Sequence, residues 1–485
     1  MPISPKLGPE AARANMADIA PAFTPQEALI EANRCLFCFD APCIQACPTG
    51  IDVPSFIKKI ATGNLSGAAR VILSANVLGA SCARVCPTEV LCEGACVVLD
   101  REGDPVKIGR LQRYATDHAL ASPRQVLKAP AAKSGKRVAV IGGGPAGLGC
   151  AAELAQLGHQ VVVFEKHPQA GGLNTYGIAY YKMPPEVSLR EVEMIKSLGV
   201  EFRCGVEVGK DVSAAQLEKD FDAIFVGIGL GRGARLNIPG EGLPEVVEAL
   251  EFIEQVHTRP LHEVPVGERV AVIGGGNTAI DAVTQAKRLG AREAVIVYRR
   301  SRDEMPAYVF EQKLAQTDGA RFMFNVAPLE VLSNGTGHVT GLKLARTAGG
   351  NRKLQTLPGS EFVEPFDMVI TAIGEQKQGA LLKRLFPALE LHPKGMVLRD
   401  FATGQTNLPK VFAGGDCANG GREVVNAVAE GRKAARGIHA FLAGRKVAGP
   451  VQPSRYGVKG APVGSGFDGP IRVAELERDY AKKTA

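Results

Sequence analysis

Residues 136–166 read KRVAVIGGGPAGLGCAAELAQLGHQVVVFEK, and this stretch decides the fold. Lys136-Arg-Val-Ala-Val-Ile141 is an apolar run of strand length, and it enters Gly142-Gly-Gly144-Pro145-Ala146-Gly147 without a spacer. LGCAAELAQLG then has helical spacing, and QVVVFEK is a second apolar strand that ends in Glu165 and Lys166. The glycines divide the work: Gly142 permits the tight turn, Gly144 lets the backbone reach a pyrophosphate, and Gly147 lets the helix pack closely. Glu165, at the end of the second strand, is placed to bind adenosine ribose hydroxyls. The stretch therefore predicts a dinucleotide-binding strand–helix–strand unit.

The pattern returns downstream. Arg269-Val-Ala-Val-Ile273 leads into Gly274-Gly-Gly276-Asn277-Thr278-Ala279, a helix through Asp281, and the strand AVIVYRR. Two such units in one chain imply two nucleotides. At the end of the second strand the acidic residue is missing, and Tyr298-Arg299-Arg300 stands in its place with Arg302 close behind. Arginines there suit the 2′-phosphate of NADP; the plainer reading is a solvated basic patch that tolerates NAD or NADP.

Residues 171–184, GGLNTYGIAYYKMP, suit a flavin-ring contact through Gly172 and Leu173. FDAIFVGIGLG and FDMVITAIGE are further apolar strands ending in glycine, where each sheet would hand the chain to the other unit. Val411-Phe-Ala-Gly-Gly415-Asp416 precedes the helical EVVNAVAEGRKAARGIHAFL, so Asp416 is placed to hold a ribityl chain; its bland role is a helix cap.

Upstream, Thr24 caps a short helix (TPQEALIEANR), with Pro25 at its first position and Glu27 completing a capping box. The helix delivers the chain to Cys35-x2-Cys38-x4-Cys43-x3-Cys47-Pro48. The spacing is close to the C-x2-C-x2-C-x3-C-P run of two-cluster ferredoxins, with the middle gap wider by two. A helical stretch, VPSFIKKIATGNLSGAARVIL, separates it from Cys82-x3-Cys86-Pro-x4-Cys92-x3-Cys96. Two groups, each with a Cys-Pro, suggest paired iron–sulfur clusters that share ligands crosswise. Structural zinc is the bland alternative, but zinc knuckles come as paired C-x2-C and only Cys35 and Cys38 have that spacing.

Length 485 allows about two to four domains. Hydrophobic residues at 45%, 56 glycines and no tryptophan suit an α/β protein and exclude disorder. A formal charge of +7 is too small and dispersed for nucleic-acid binding. The first residues lack the pattern of a secretion signal, and no apolar run reaches membrane-span length. Closely spaced thiols in such a chain point to metal ligation in a reducing, cytoplasmic setting.

Together the two cysteine groups, Gly142 to Gly147 with Glu165, GGLNTYGI, Gly274 to Asp281 and the final AGGD resemble the glutamate synthase small-subunit family. That family includes the N-terminal half of dihydropyrimidine dehydrogenase and the bacterial pyrimidine-reducing subunit. The resemblance covers residues 20–443 and implies an α-helical N-terminal iron–sulfur domain followed by α/β. Two Rossmann-like dinucleotide-binding domains follow, the NAD(P) domain inserted in the FAD domain.

In VKIGRLQRY, Gln112 stands where glutamate synthase relatives carry an acidic residue, which resembles the pyrimidine-reducing branch. That likeness implies one [4Fe-4S] cluster on Cys35, Cys38, Cys43 and Cys96 and another on Cys47, Cys86, Cys92 and Gln112, with Cys82 left over as a buried small residue. The expected domains are 1–128 for the clusters, 129–255 and 375–443 for FAD, 256–374 for NAD(P), and a 444–485 extension poor in apolar residues.

The implied function is the electron-input subunit of a dihydropyrimidine dehydrogenase. NAD(P)H delivers a two-electron hydride, and a flavin is needed because clusters accept single electrons. The partner would be an FMN- and iron–sulfur-containing, PreA-like subunit that binds uracil or thymine, in a heterotetramer. Thioredoxin-reductase-like proteins discharge their flavin through a Cys-x-x-Cys pair, which is missing from the second fold here; the remaining cysteines, Cys150, Cys204 and Cys417, are isolated. The alternatives are a glutamate synthase small subunit or another NAD(P)H:acceptor reductase and, from a different class, a zinc-stapled nucleotide-sensing module.

Overall fold

In the computed structural model, which describes residues 3–122, 125–349 and 354–445, the deciding stretch forms the centre of a parallel sheet. Arg137–Ile141 pairs with Gln160–Glu165 on one side and Ala223–Val226 on the other. The full order is Val411–Ala413, Ala223–Val226, Arg137–Ile141, Gln160–Glu165, Glu201–Cys204. Successive side chains alternate faces. Val138, Val140, Val161 and Val163 face helices Pro145–Gln156 and Val424–Leu442, while Ala139, Ile141, Val162 and Phe164 pack against Leu217, Phe221 and Leu382. Burial on both faces explains why these strands read as continuous apolar runs.

A second parallel sheet has the order Val246–Glu248, Met368–Thr371, Arg269–Ile273, Glu293–Tyr298, Arg321–Phe324. Helices Ala249–Thr258 and Asn277–Arg288 cover one face; on the other, Ala271, Ile273, Val295 and Val297 meet an antiparallel ribbon of Val326–Ser333, Val339–Ala348 and Phe362–Glu364. The ribbon is not among the expected elements. The chain enters and leaves this unit through paired crossings: Gly231 N–H to Gln376 O (2.8 Å), Gln376 N–H to Arg232 O (2.9 Å) and Ala234 N–H to Gly374 O (2.7 Å). The second unit is thus inserted between two strands of the first sheet.

Two expected boundaries move. Val246–Glu248 hydrogen-bonds to Met368–Thr371, so the second unit begins near residues 231–234, and the expected 255/256 cut falls inside the Ala249–Thr258 helix. Residues near the N-terminus also leave the cluster domain. Met16 lies in the second unit's core, Ser4 bridges to Val266, and Asn15 Nδ2 donates to Arg288 O at 2.9 Å.

The cysteine region is helical, as expected. The Pro25–Asn33 helix has its Thr24–Glu27 capping box, with Glu27 N–H donating to Thr24 Oγ1 at 3.2 Å and Thr24 N–H to Glu27 Oε2 at 2.7 Å. The helical stretch expected over 53–73 is helical and forms two helices, Val53–Ala61 and Leu65–Ala75. Gly63 turns the chain at φ 75°, and Asn64 Oδ1 caps the next helix by accepting Gly67 N–H. Helices Gly79–Val85, Val97–Glu102 and Ile108–Ala121 complete the domain around Phe56, Ile57, Ile72 and Leu111. Ala69, Leu73, Val77 and Leu78 pack into the first sheet's core, so the cysteine domain is seated on the first sheet's unit, the one expected to hold the flavin.

No single helix among the described residues is long and apolar enough to cross a membrane. Most of the expected C-terminal extension, residues 446–485, lies outside the described residues.

Candidate functional site

The cysteines line two cavities. Cys35, Cys38, Cys43 and Cys96 face the first, walled by Val53, Ile57 and Ile108. Cys47, Cys86, Cys92 and Gln112 face the second, with Cys82, Asn76 and Val425. The grouping is crosswise in sequence. Cys47 leaves its own run for the second cavity, and Cys96 leaves its run for the first.

The thiols feel one another. Burial and the neighbouring Cys35, Cys96 and Cys38 push the Cys43 thiol up to about 12. A hydrogen bond with Cys82, then burial, then Cys92 and Cys47 hold Cys86 well above the usual thiol range. These shifts favour the neutral thiols; to serve as thiolates this close together in a buried wall the groups would need a compensating cation, which iron would supply. No three Cys, His, Asp or Glu side chains among the described residues close on a single-ion site; the sulfurs stand around cavities instead. Gln112 is buried, and its Nε2 donates to Gly79 O at 2.7 Å, which leaves Oε1 free. The donor set therefore fits two clusters, three thiolates and an amide oxygen at the second.

At the first glycine loop, Gly142 has φ 99°, and a Cβ there would meet Gly227 O at 2.5 Å. A Cβ on Gly147 would meet Gly142 O at 1.9 Å, so the helix could not approach the loop. At Gly144 the nearest atom to such a Cβ is 3.8 Å away, which leaves a bare backbone face for a pyrophosphate at the start of the Pro145–Gln156 helix. Glu165 is buried at the strand end. Its Oε2 accepts Gly143 N–H at 2.7 Å and its Oε1 accepts His167 N–H at 2.8 Å, and each oxygen retains a lone pair for a ribose hydroxyl. Ala146 is buried beneath the loop, whereas Lys166 points to solvent.

Gly172, at φ 56°, lies against Gly144, and Leu173 is part exposed beside it. Asp416 starts a short turn after Gly415. Its Oδ1 accepts Arg422 N–H at 3.1 Å, and burial pushes its carboxyl up to about 6. Gly415 N–H is already committed to Glu430 Oε2 at 2.8 Å, and Arg399 pairs with that carboxylate at 2.9 Å. Pro145, Gly415 and Asp416 thus share one rim of the first sheet.

The second loop repeats the geometry. Gly274 sits at φ 148° against Ala372 O, and a Cβ added at Gly276 would have nothing within 4 Å. Asn277 Oδ1 accepts Tyr308 N–H at 3.0 Å, and Ala279 is buried under the helix start beside Thr278. Arg299 and Arg300 follow Glu293–Tyr298 directly, at the strand end where a second nucleotide's ribose would lie. Arg299 is exposed, and Arg300 Nε is buried without a partner among the described residues.

Several site-shaping residues have no sequence signature. In the 171–184 segment only the first part faces the flavin loop; Lys182 turns into the second unit, donating to Asp281 Oδ1 and Glu311 Oε1 at 2.6 Å each. Burial opposes the Lys182 ammonium, but the two carboxylates outweigh it and hold it charged. Tyr308 OH donates to Glu423 at 2.8 Å, a second tie between units. Glu191 of the flavin unit accepts Ala80 N–H at 2.7 Å and Ser81 N–H at 3.1 Å, fixing the helix that carries Cys82. The signal available for these was only that charged residues sit among apolar neighbours.

Two family descriptions match the chain. Dihydropyrimidine dehydrogenase domain II, 4Fe-4S cluster, matches residues 12–123, and pyridine nucleotide-disulphide oxidoreductase matches residues 136–431. The NADPH glutamate synthase small chain of Escherichia coli K12 is 37% identical over 90% of this chain and 96% of its own length. The NAD-dependent dihydropyrimidine dehydrogenase subunit PreT of Salmonella typhimurium is 35% identical over 88% and 97%. Among solved structures, Lactococcus lactis thioredoxin reductase superposes with TM-score 0.51 at 21% identity, covering 64% of this chain and 99% of that one, a likeness of fold.

Proposed function

The chain belongs to the pyridine nucleotide-disulphide oxidoreductase family, in the group that carries an N-terminal dihydropyrimidine dehydrogenase domain II, and from that premise we propose that it is the electron-input subunit of a dihydropyrimidine dehydrogenase. It is an NAD(P)H-dependent flavin oxidoreductase with FAD and 4Fe-4S chemistry. The observation that carries the finer reading is Gln112, an amide rather than a carboxylate on the wall of the second cavity. When bound, the cofactors supply hydride uptake at the flavin and single-electron passage through iron–sulfur.

The chain's own residues do the positioning. Gly142, Gly144, Pro145, Ala146 and Gly147 cradle the FAD pyrophosphate, Glu165 and Lys166 the adenosine end, Gly172 and Leu173 the ring, and Gly415 and Asp416 the ribityl side. Gly274, Gly276, Asn277, Thr278 and Ala279 take the nicotinamide nucleotide, with Arg299 and Arg300 at its adenosine ribose. Cys35, Cys38, Cys43 and Cys96 hold one cluster; Cys47, Cys86, Cys92 and Gln112 hold the other. Val425, at the start of the Val424–Leu442 helix, is also on the second cavity's wall, which supports that cavity as the one next to the flavin unit. Electrons leave to a partner FMN and iron–sulfur subunit that binds uracil or thymine.

A glutamate synthase small subunit is the second reading, favoured by the 37% identity over 96% of that relative and by the Arg299-Arg300 pair. Co-expression with neighbouring genes and assays of uracil- and glutamine-dependent NAD(P)H oxidation test the two. Uracil-dependent turnover is expected, and glutamine-dependent turnover alone would overturn the proposal. For the nucleotide, Arg299→Ala should raise KM for NADPH roughly tenfold or more, as loss of a charge-assisted phosphate contact does, and leave KM for NADH near its starting value. Equal effects on both would remove the phosphate-binding role.

A further inference from the structure

The second cavity contains a polar group that the ligand set leaves unused. Asn76 is wholly buried, ends the Leu65–Ala75 helix and lines the cavity together with Cys47, Cys86, Cys92 and Gln112. Its Oδ1 accepts Leu78 N–H at 3.0 Å, and its Nδ2 has no partner among the described residues. The backbone donor fixes which end of the amide is which, because Nδ2 could not accept Leu78 N–H in a flipped orientation.

A buried donor without an acceptor is destabilising, because its lost hydration is not replaced. Capping does not explain the cost. The helix end is closed by Asn76 N–H donating to Ile72 O, and the side-chain oxygen on Leu78 is a contact that serine or aspartate also makes. What asparagine adds is the N–H pair. Gln112 presents the opposite end: its Nε2 is turned to Gly79 O, and its oxygen remains. The second cavity is thus walled by one amide oxygen and one amide donor. In the first, the lining residues carry no side-chain N–H at all.

We propose that Asn76 donates a hydrogen bond from Nδ2 to a sulfur of the cluster in the second cavity and thereby raises that cluster's reduction potential. Reduction adds negative charge to the cluster, and an N–H donor stabilises the more negative state. The proposal rests on the reading of this cavity as a cluster site.

The test compares the full chain with Asn76→Ala, which removes the side-chain donor, and the oxygen on Leu78 N–H with it. Both are purified without oxygen, assayed for iron and sulfide, and titrated reductively by electron paramagnetic resonance, with the second cluster's signal identified by its loss in Cys86→Ser. The expected result is equal iron content, an about tenfold fall in the second cluster's equilibrium constant for reduction (~59 mV for a one-electron couple), and an unchanged first cluster. Equal iron with both titrations unchanged would overturn the Asn76 assignment alone. One cluster's worth of iron in the unmutated chain would overturn the two-cluster reading, and this proposal with it. If Asn76→Ala does not accumulate, unmutated chain labelled with nitrogen-15 only in asparagine side chains decides. Asn76 is the one asparagine on the cavity wall, so a nitrogen-15 coupling on the reduced second cluster is required, and its absence overturns the proposal.

Discussion

The two cysteine cavities are built from the same pair of sequence runs yet differ in almost every physical respect. The first has four thiols in an aliphatic wall. Leu36, one of its lining residues, is 46% exposed, so this cavity lies near the surface of the cluster domain. The second has three of the expected thiols, the amides of Gln112 and Asn76, the extra Cys82, and Val425 from the flavin unit. One is adapted to the outside and the other to the inside of the molecule. Because Cys47 and Cys96 each cross to the cavity of the other run, neither site can form without the opposite run in place. In the proposed reading the relay is therefore one cooperative unit, with polarity graded from the flavin side to the surface side.

Removing a thiol from either cavity breaks the comparison most severely. Cys43→Ser and Cys86→Ser should each leave NAD(P)H-to-dye reduction largely intact and abolish electron delivery to the partner, measured by partner-flavin reduction under stopped flow. The serial arrangement requires both losses. Normal delivery from Cys43→Ser would take the first cavity off the path and leave only the second as a relay station.

Making the cavities alike is a milder intervention. Gln112→Cys gives the second cavity a fourth assigned thiolate, which adds negative charge to its cluster and should lower its reduction potential while the first cluster titrates as before. The reductive titration that follows both signals reads this directly. If the second cluster does not move, Gln112 is not a ligand, and its amide serves only the Gly79 carbonyl.

How far these features were legible depended on whether the determinant was local. Val138 to Gly147 and Val270 to Ala279 announce their units because a buried parallel strand, a glycine turn and a helix start are neighbours in sequence. The Thr24–Glu27 box is equally local. The break at Gly63-Asn64 was readable in principle from its turn chemistry. Val326–Ser333 and Val339–Ala348 were not read as strands, since their alternation is interrupted by proline and charge and their pairing is the tertiary fact. The crossing point near 231–234 is set by hydrogen bonds to residues 374–376, which no local pattern encodes. In the site, the cysteines carried their own signature, whereas Asn76, Lys182 and Glu191 acquire meaning only from partners brought by the fold.

Glu191 gives the smallest and most specific test of the inside character of the second cavity. It comes from the flavin unit, is wholly buried, and holds the first turn of the Gly79–Val85 helix through Ala80 and Ser81. Burial pushes its carboxyl up to about 7, against a usual value of 4.5. Between those two pH values the unfolded chain has lost this proton and the folded chain retains it. The native state then binds more protons, so this group makes stability fall as pH rises from about 4.5 to 7 and contributes no further slope above. The full effect is on the order of 3 kcal/mol. Glu191→Gln keeps an oxygen for the two backbone donors and removes the titration. The apparent melting midpoint of the loaded variant, compared with the parent at pH 5 and pH 7.5, should therefore fall less between the two. An equal fall would mean that Glu191 is ionised in the fold throughout this range, and that the seam between cluster domain and flavin unit is wetter than its packing implies.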